Sequence, residues 1–421
     1  MSAAPSIVVT GLGLVCPLGI GRAAVAENLA AGRGGVRRIQ SFDTTHLPIK
    51  LAGEIEGFDA SRFVSPRKAL KVMARDAQLA MAAASLACDD ARIAAGTVDP
   101  ERFGALFGGH IIRNPIEEVS LPFRACLENG EFHFDRWGDA GLRACFPLNL
   151  LKLLPNMLGS HVSIAHDARG PNNTLCMGDV SGLVAMAEAA DVMRRGWVDA
   201  MIVGGSCSRI NVYDLLRLAV GGEPSTADDP LRGCRPFDVD RGGEVRGEAA
   251  AAMIFETRSA AEARGAPCLA EVAGWGSAGG GRADLGARHA DPLRRAVRKA
   301  LAAARIEPRA VGAVFAHGLG TRTGDAAEAQ ALRDVLPDVP VFAAKGYLGN
   351  SEAACGAVEA ALAVAALVEG RIAPTLGCDM VDPRCPIPVV RGRPLTSFAP
   401  TIVVVGYTGC GQAAAVVLRK A

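Results

Sequence analysis

Short runs of β-branched and other apolar residues alternate along the chain with longer alanine-rich stretches of helical character. The short runs predict strands at residues 6–10, 103–107, 200–203, 251–255, 313–316, 341–343 and 402–405. The longer stretches predict helices at residues 69–87, 180–195, 292–303, 326–336 and 352–369. Strands that alternate with helices are typical of βαβ units, so the pattern predicts an α/β protein with a mainly parallel sheet.

The alternation continues on both sides of a break near residues 258–264, just after Ile254-Phe255-Glu256. Each side carries its own strands and helices, and no low-complexity linker separates them. The pattern therefore predicts an amino-terminal half over residues 1–256 and a carboxy-terminal half over residues 257–421.

Composition argues against several classes of function. Half of the 421 residues are hydrophobic, and the 45 Lys and Arg residues nearly balance the 44 Asp and Glu residues. A balanced charge indicates neither a nucleic-acid binder nor a membrane-surface binder. The amino terminus shows no signal-peptide pattern, and the apolar stretch at residues 353–368 carries Glu359. We therefore expect a cytoplasmic protein without membrane insertion.

The sequence predicts no metal site and no cofactor. The 12 cysteines are scattered through apolar segments, and no pair has zinc-ligand spacing backed by histidines. Gly11, Gly13 and Gly19 follow the first predicted strand, but no helix or acidic residue follows at the spacing that a dinucleotide site requires.

Several short motifs follow one another in an order that is more specific than any one of them. They are residues 7–19 (IVVTGLGLVCPLG), 170–182 (GPNNTLCMGDVSG), 235–238 (RPFD) with 247–248 (GE), 316–318 (AHG) with Gly324, Asp325 and Glu328, 345–350 (KGYLGN) with 356–359 (GAVE), and 405–409 (VGYTG). Together they resemble the β-ketoacyl-acyl-carrier-protein synthases of the elongating type, in the thiolase superfamily, over nearly the whole chain. The resemblance implies a thiolase-like fold, a duplicated α/β unit in five layers (αβαβα).

The same resemblance implies that Asp179, His317 and Asn350 occupy the three catalytic positions. The family holds an acyl chain on a cysteine at a helix amino terminus, which lowers the pKa of the thiol. Two further groups donate hydrogen bonds to the thioester carbonyl of the extender. Asp179 stands at the cysteine position, and a carboxylate is a poor acyl carrier at neutral pH. His317 matches the family's histidine, and Asn350 resembles the asparagine of the initiating branch, whose amide donates as an imidazole does.

Two roles stay open for Asp179. At the start of a helix it caps free N–H groups, which contributes about 1 kcal/mol. Alternatively, it acts as a general base or positions a water molecule in a reshaped pocket. A helix amino terminus predicts a depressed pKa for the carboxyl, which favours the cap. Cys176 is an alternative nucleophile, but ungapped matching from Gly170 to Gly205 favours a structural role for it.

The resemblance also indicates residues around the substrate. Thr321 is the remaining hydroxyl-bearing residue after the histidine that is available to hydrogen-bond a pantetheine arm. Tyr407 stands in the loop whose phenylalanine gates the family's pocket. Lys345 and Glu359 match an ion pair that supports the site. Glu244 stands where a phenylalanine is common, so the substrate pocket is altered as well as the nucleophile.

Two functions follow as hypotheses. The first is a non-condensing subunit akin to the chain-length factors of bacterial type II polyketide and polyene pathways, which lack the cysteine and support an active synthase. Its partners would be an acyl carrier protein and either a second copy of the chain or a cysteine-bearing ketosynthase. The second is a stand-alone enzyme, a malonyl-thioester decarboxylase, acyltransferase or thioester hydrolase. It would use Asp179, His317 and Asn350 without a cysteinyl intermediate.

Overall fold

A computed structural model of the chain describes residues 5–280 and 287–421. Its strands in the amino-terminal half are β1 Ile7–Cys16, β2 Gly19–Ile20, β3 Val36–Arg38, β4 Leu51–Gly53, β5 Phe103–Gly108, β6 Leu127–Glu128, β7 Glu131–Phe132, β8 Asn172–Leu175, β9 Ala200–Ser208 and β10 Arg246–Thr257. Those in the carboxy-terminal half are β11 Ala270–Gly279, β12 Ala313–Ala316, β13 Val341–Ala343, β14 Thr401–Tyr407 and β15 Gln412–Lys420.

The α-helices lie between these strands. They are α1 Arg22–Ala30, α2 Arg75–Ala91, α3 Ile116–Ala125, α4 Leu142–Ala144, α5 Asn149–Leu153, α6 Met157–His166, α7 Ser181–Arg194, α8 Val212–Gly221, α9 Arg258–Ala263, α10 Ala287–Ala304, α11 Arg322–Val335, α12 Lys345–Leu348 and α13 Cys355–Glu369. The predicted helix at residues 69–87 begins later than expected, because Pro66 is followed by a 3-10 helix at Arg67–Val72.

The sheet contains the same five-strand arrangement twice. In the first unit the order is β1-β10-β9-β5-β8, and in the second it is β11-β15-β14-β12-β13. Each unit has two antiparallel pairings followed by two parallel ones. A short antiparallel contact between β1 and β11 joins the units. This duplication confirms the expected fold, and the predicted division at residue 257 falls at the end of β10.

The expectation of a mainly parallel sheet was wrong, because each unit is mixed. Long return strands cause the difference: β10 pairs antiparallel with both β1 and β9, and β15 pairs antiparallel with both β11 and β14. The sequence-based prediction missed β11 and β15 altogether. Both strands contain small and apolar residues without a regular alternation, so periodicity alone does not identify them as strands.

Helices form the other three layers. Helix α2 covers the outer face of the first unit, where it contacts β1, β9 and β10, and α10 covers β11, β14 and β15 of the second. Helices α7 and α13 lie between the units, since α7 contacts both β9 and β15 and α13 contacts both β10 and β14. Together the layers give the αβαβα order that the thiolase-like fold implies.

Small residues allow the two central helices to cross closely. A Cβ atom placed on Gly182 of α7 would lie 2.7 Å from the amide nitrogen of Ala357, and one on Gly356 of α13 would lie 2.5 Å from Cγ of Leu183. Neither position accepts a larger side chain without moving a helix. The alanine-rich composition thus reflects the packing of α13, which is buried along nearly its whole length. Within the described ranges, no helix combines the length and the apolar character that a membrane crossing needs.

Candidate active site

Three separate parts of the chain bring the predicted catalytic residues to one place. Asp179 lies in a short 3-10 turn, Gly178–Val180, that leads directly into α7. His317 follows the last residue of β12, and Asn350 lies two residues beyond the end of α12. The site therefore combines the amino terminus of a central helix with the carboxyl end of a strand in the second sheet unit.

The three side chains face one another. Nδ2 of Asn350 donates a hydrogen bond to Oδ1 of Asp179 at 3.1 Å, and Nε2 of His317 lies 3.7 Å from the same oxygen. His317 and Asn350 are buried, while the Asp179 side chain is 17% exposed. A carboxylate oxygen thus lies between the two groups that were predicted to bind a thioester oxygen.

The amide of Asn350 is fully engaged by neighbouring residues. Its nitrogen also donates to Oε1 of Glu244 at 2.6 Å, so both amide hydrogens point at carboxylates. Its oxygen accepts from Sγ of Cys355 at 2.8 Å and from the backbone nitrogen of Glu352 at 3.0 Å. Asn350 can therefore donate to an added oxygen only after it releases Asp179 or Glu244.

The pKa of Asp179 is raised to about 6, mainly by burial and then by the nearby carboxylates of Glu352 and Glu244. Arg246 and the hydrogen bond from Asn350 act in the opposite direction but do not outweigh them. The expected depressed pKa was therefore wrong. The capping interpretation fails as well, because no side chain caps the amino terminus of α7. Ser181, the first residue of α7, bonds to the preceding turn instead: its Oγ donates a hydrogen bond to the Gly178 carbonyl at 2.6 Å.

Lys345 fixes the orientation of the His317 ring. Its ammonium lies 3.0 Å from Nδ1 of His317 and donates to the His317 carbonyl at 2.6 Å and to Oε1 of Glu359 at 2.6 Å. Burial lowers the Lys345 pKa, but nearby acidic groups, Glu359 among them, outweigh it and leave the pKa raised. A charged lysine must donate, so Nδ1 accepts and the ring proton is on Nε2, the nitrogen that faces Asp179.

The four residues that were predicted to lie around the substrate do not all lie in one place. Lys345 and Glu359 form the expected ion pair behind His317, and the ring of Tyr407 meets the His317 ring edge-on with 4.7 Å between centroids. Thr321 lies at the start of α11, where its hydroxyl accepts a hydrogen bond from the Gly324 amide at 3.2 Å. The structure thus places three of these four residues around His317 and gives Thr321 a capping contact.

Cys176, the alternative nucleophile, does not join this group of side chains in any contact that the structure records. Cys176 is exposed to solvent, but neighbouring atoms cover part of its side chain, and this partial burial raises the pKa of its thiol. A raised pKa leaves little thiolate at neutral pH, so these surroundings do not activate it.

Sequence reasoning missed a run of charged residues that continues from Asn350 into the first sheet unit. We call the residues Glu244, Arg246, Glu352, Arg209 and Asp214 the ionic series. Nη1 of Arg246 lies 2.8 Å from Glu244 and 3.8 Å from Glu352, whose carboxylate also contacts Arg209. Nη2 of Arg209 then lies 2.9 Å from Oδ1 of Asp214.

Two residues flank the ionic series. His110 contacts Glu352 with Nε2 at 2.6 Å, and Arg113 contacts Asp214 with Nε at 3.2 Å. The signal that could have revealed the series is the presence of charged residues inside otherwise apolar or glycine-rich segments. Arg246 stands between Val245 and Gly247, and Glu352 is followed by two alanines.

Comparison with known proteins identifies the family. The model of the β-ketoacyl synthase amino-terminal domain matches residues 4–261, and that of the carboxy-terminal domain matches residues 269–379. The chain belongs to the β-ketoacyl synthase family. Among curated β-ketoacyl synthases, it is 30% identical to 3-oxoacyl-[acyl-carrier-protein] synthase 2 of Staphylococcus aureus strain COL over 395 residues, which are 93% of this chain and 92% of the relative.

Solved β-ketoacyl synthase structures resemble the chain over its full length. A crystal structure of a β-ketoacyl synthase from Burkholderia phymatum has a TM-score of 0.88 at 28% identity and covers 99% of this chain and 100% of that one. The ishigamide ketosynthase/chain length factor has a TM-score of 0.87 at 26% identity and covers 100% of both chains. Family membership thus rests on both sequence and structure.

The raised pKa of Asp179 makes the stability of this β-ketoacyl synthase family member depend on pH. The folded protein keeps the Asp179 proton up to about pH 6, whereas the unfolded chain loses it near pH 4. The folded state binds more protons between these values, so stability falls as pH rises through that window. An amide cannot ionise, so Asp179→Asn is expected to raise the free energy of unfolding by about 2 kcal/mol at pH 8 and to change it little at pH 4.

Thermal unfolding of the parent and of Asp179→Asn at pH 4, 6 and 8 measures this effect. Asp167→Asn is the matched control, because Asp167 is exposed and has a left-handed backbone that asparagine accepts. The control should show no such gain at pH 8. A gain for Asp179→Asn that is equally large at pH 4 would contradict the assignment of the raised pKa.

Proposed function

We propose that the chain is a non-condensing ketosynthase-like subunit that supports a cysteine-bearing β-ketoacyl synthase in fatty-acid, polyketide or polyene biosynthesis. The observation that carries the proposal is the carboxyl group of Asp179 at the nucleophile position, facing His317 and Asn350. Acyl transfer through a covalent intermediate needs an activated nucleophile that forms a stable thioester or ester. A carboxylate would form a mixed anhydride, which water hydrolyses.

The hydrogen-bond donors of the site support the same proposal. Stabilisation of an enolate requires donors that are aimed at the developing negative charge and are free to reach it. Asn350 directs both of its N–H groups at Asp179 and Glu244, and Nε2 of His317 faces Asp179. An ionised Asp179 also repels both an enolate and the carboxylate of a malonyl group. The arrangement therefore disfavours decarboxylation by the chain alone.

An exposed apolar surface supports a protein partner. Most of the exposed large apolar side chains lie between residues 111 and 164: Ile111, Ile116, Leu121, Phe123, Leu127, Phe132, Phe134, Leu142, Phe146, Leu148, Leu150, Leu151 and Ile164. Strand β8, at the outer edge of the first sheet unit, is partly exposed, at Asn172 and Asn173. Apolar surface of this extent, next to an unpaired strand edge, is typical of an interface. We infer that a second copy or a cysteine-bearing synthase covers it.

A basic surface supports an acyl carrier protein as the second partner. Arg62, Arg67, Lys68 and Lys71 are exposed, and no acidic residue separates them along the chain. Within the part of the chain that the structure describes, none of the four forms a salt bridge. Four such cations in a protein of nearly zero net charge form a local positive field, which attracts an acidic partner. A cytoplasmic location and the absence of nucleic-acid partners stay predictions.

A stand-alone enzyme is the second candidate function, and one observation favours it. The pKa of Asp179 is about 6, and the residue lies 3.7 Å from Nε2 of His317. A carboxyl group that exchanges its proton near neutral pH can act as a general acid or base. In that case Asp179 would move away from Asn350 when a thioester binds.

A reconstituted condensation assay separates the two functions. We expect the chain with acyl carrier protein and malonyl donor to release no carbon dioxide and to form no condensation product. A cysteine-bearing synthase from the same source should bind the chain as a dimer in light scattering. Together they should condense at least tenfold faster than the synthase alone, because the exposed apolar surface is then covered by its partner.

Two controls accompany this assay. Replacement of the synthase's cysteine by alanine should abolish the product, and Lys68→Glu with Lys71→Glu in this chain should weaken the response by removing the positive field. Carbon dioxide released by the lone parent, and lost in both Asp179→Asn and His317→Ala, would contradict the proposal and favour the stand-alone enzyme.

A further inference from the structure

The structure contains a cavity that does not reach the candidate active site. Its volume is about 690 Å³, and its wall includes Met73, Ile111, Ile112, Arg113 and Asp214. Asp179, His317 and Asn350 are absent from that wall. The ionic series links the two places. It begins at Glu244, which accepts a hydrogen bond from Asn350, and ends at Asp214 in the cavity wall.

The ionic series is largely buried and, together with Arg113, electrically balanced. Arg209 is 5%, Glu244 8% and Asp214 1% exposed, and the side chains of Arg246 and Glu352 are 15% and 12% exposed. Its charges alternate in sign along its length, and Arg113 adds a third guanidinium opposite the third carboxylate. Each charged group therefore has a partner of opposite sign within the protein, and the series needs no added ion to neutralise it.

A series of this kind opposes the entry of an alkyl chain. Methylene groups gain by burial against apolar surface, and they cannot replace the partner of a buried charge. An acyl chain that passed from Asp179 towards the cavity would have to separate Arg246 from Glu244 or Glu352. The separated charges would then stay buried without partners, which is strongly unfavourable.

We propose that the ionic series is a permanent plug between the candidate active site and the cavity. The site then admits short acyl groups such as acetyl and excludes acyl chains that would have to extend towards the cavity, whatever residue occupies position 179. The cavity in turn is reached beside Ile111 and Ile116, on the surface that we infer a partner covers. This inference goes beyond the proposed function and does not depend on it, because it concerns the size of group that the site accepts.

The size of group that the site accepts can be measured by alkylating a thiol at position 179 with reagents of different length. In Asp179→Cys, iodoacetamide should alkylate position 179, whereas N-octyl iodoacetamide should do so at least tenfold more slowly. Peptide mass spectrometry assigns each adduct. Cys176 and Cys410 are exposed, so their modification in the same sample corrects for the intrinsic reactivity of each reagent.

Opening the plug should remove the discrimination. Arg246→Met with Glu352→Leu, in the Asp179→Cys background, replaces one cation and one anion by apolar side chains and leaves the net charge unchanged, and Glu244 keeps its hydrogen bond from Asn350. We expect the reactivity of the octyl reagent at position 179, relative to that of iodoacetamide, to rise at least tenfold; the ratio cancels any change in the pKa of the thiol. The same replacement at a remote ion pair, Arg102→Met with Asp199→Leu, should leave the octyl reagent excluded.

Each outcome decides the question. Equal reactivity of both reagents in Asp179→Cys would overturn the plug, and so would continued exclusion of the octyl reagent after Arg246 and Glu352 are replaced. Resistance of position 179 to iodoacetamide with the series intact would also overturn the proposal, because the plugged site is expected to admit small groups. Circular dichroism confirms folding, and Glu244→Leu with Arg246→Met serves as a second opening variant.

Discussion

Asp179→Cys is expected to turn a chain that takes up no acyl group into one that carries a single acetyl group. The substitution places a thiol in the turn that leads into α7, beside His317 and Asn350. The thiol is the acyl-accepting nucleophile that the parent lacks, and the loss of the Asp179 carboxylate frees one N–H of Asn350. A helix amino terminus and the Nε2–H of His317 favour the thiolate, against burial and the carboxylates of Glu352 and Glu244. After incubation with acetyl-coenzyme A at pH 7, intact-mass spectrometry should show an increase of at least a hundredfold in acetylated protein over the parent.

Two comparisons locate the acetyl group. Cys176→Ser in the Asp179→Cys background should keep the adduct, because the exposed thiol of Cys176 has a raised pKa. Asp179→Asn should stay unmodified, since it removes the carboxylate without adding a nucleophile. A stable adduct on Cys176 in the parent would instead make Cys176 the nucleophile and overturn the assignment of position 179.

Lys345→Met is expected to cause the largest loss of stability among substitutions in the site. Lys345 and Glu359 are 1% and 2% exposed, and their side chains lie 2.6 Å apart. Removal of the cation leaves the buried carboxylate of Glu359 without its partner. It also removes the contacts of Lys345 with Nδ1 and with the carbonyl oxygen of His317. The free energy of unfolding should fall by about 3–5 kcal/mol, the usual effect of breaking a buried ion pair. Denaturant unfolding followed by circular dichroism measures it.

The double variant Lys345→Met with Glu359→Leu tests whether the charge of Glu359 is the cause. An apolar pair of similar volume leaves no buried charge, so the double variant should recover most of the stability that the single variant loses. Arg143→Met, which breaks an exposed pair with Asp139, should change stability by less than about 1 kcal/mol. A double variant no more stable than Lys345→Met would show that packing, and not the unpaired carboxylate, explains the loss.

Much of the fold could be predicted from the sequence, because local patterns determine it. All seven predicted strands overlap observed ones, and the helix expected at residues 180–195 is α7, Ser181–Arg194. Strands β11 and β15 were missed, and with them the antiparallel half of the second sheet unit. Pairing direction depends on contacts between distant segments, such as Ala270 with Lys420, which no local pattern records.

The sequence by itself determined the family resemblance, the duplicated fold that this resemblance implies, and which residues stand at the three predicted catalytic positions. Each motif is a short local run, and the order of the motifs along the chain carries the resemblance. Only the tertiary structure decided the state of those residues. Carboxylates from positions 244 and 352 approach Asp179 and, after burial, raise its pKa, although its place before a helix predicts the opposite. Charge interactions act through space, so neighbours far apart in sequence set them.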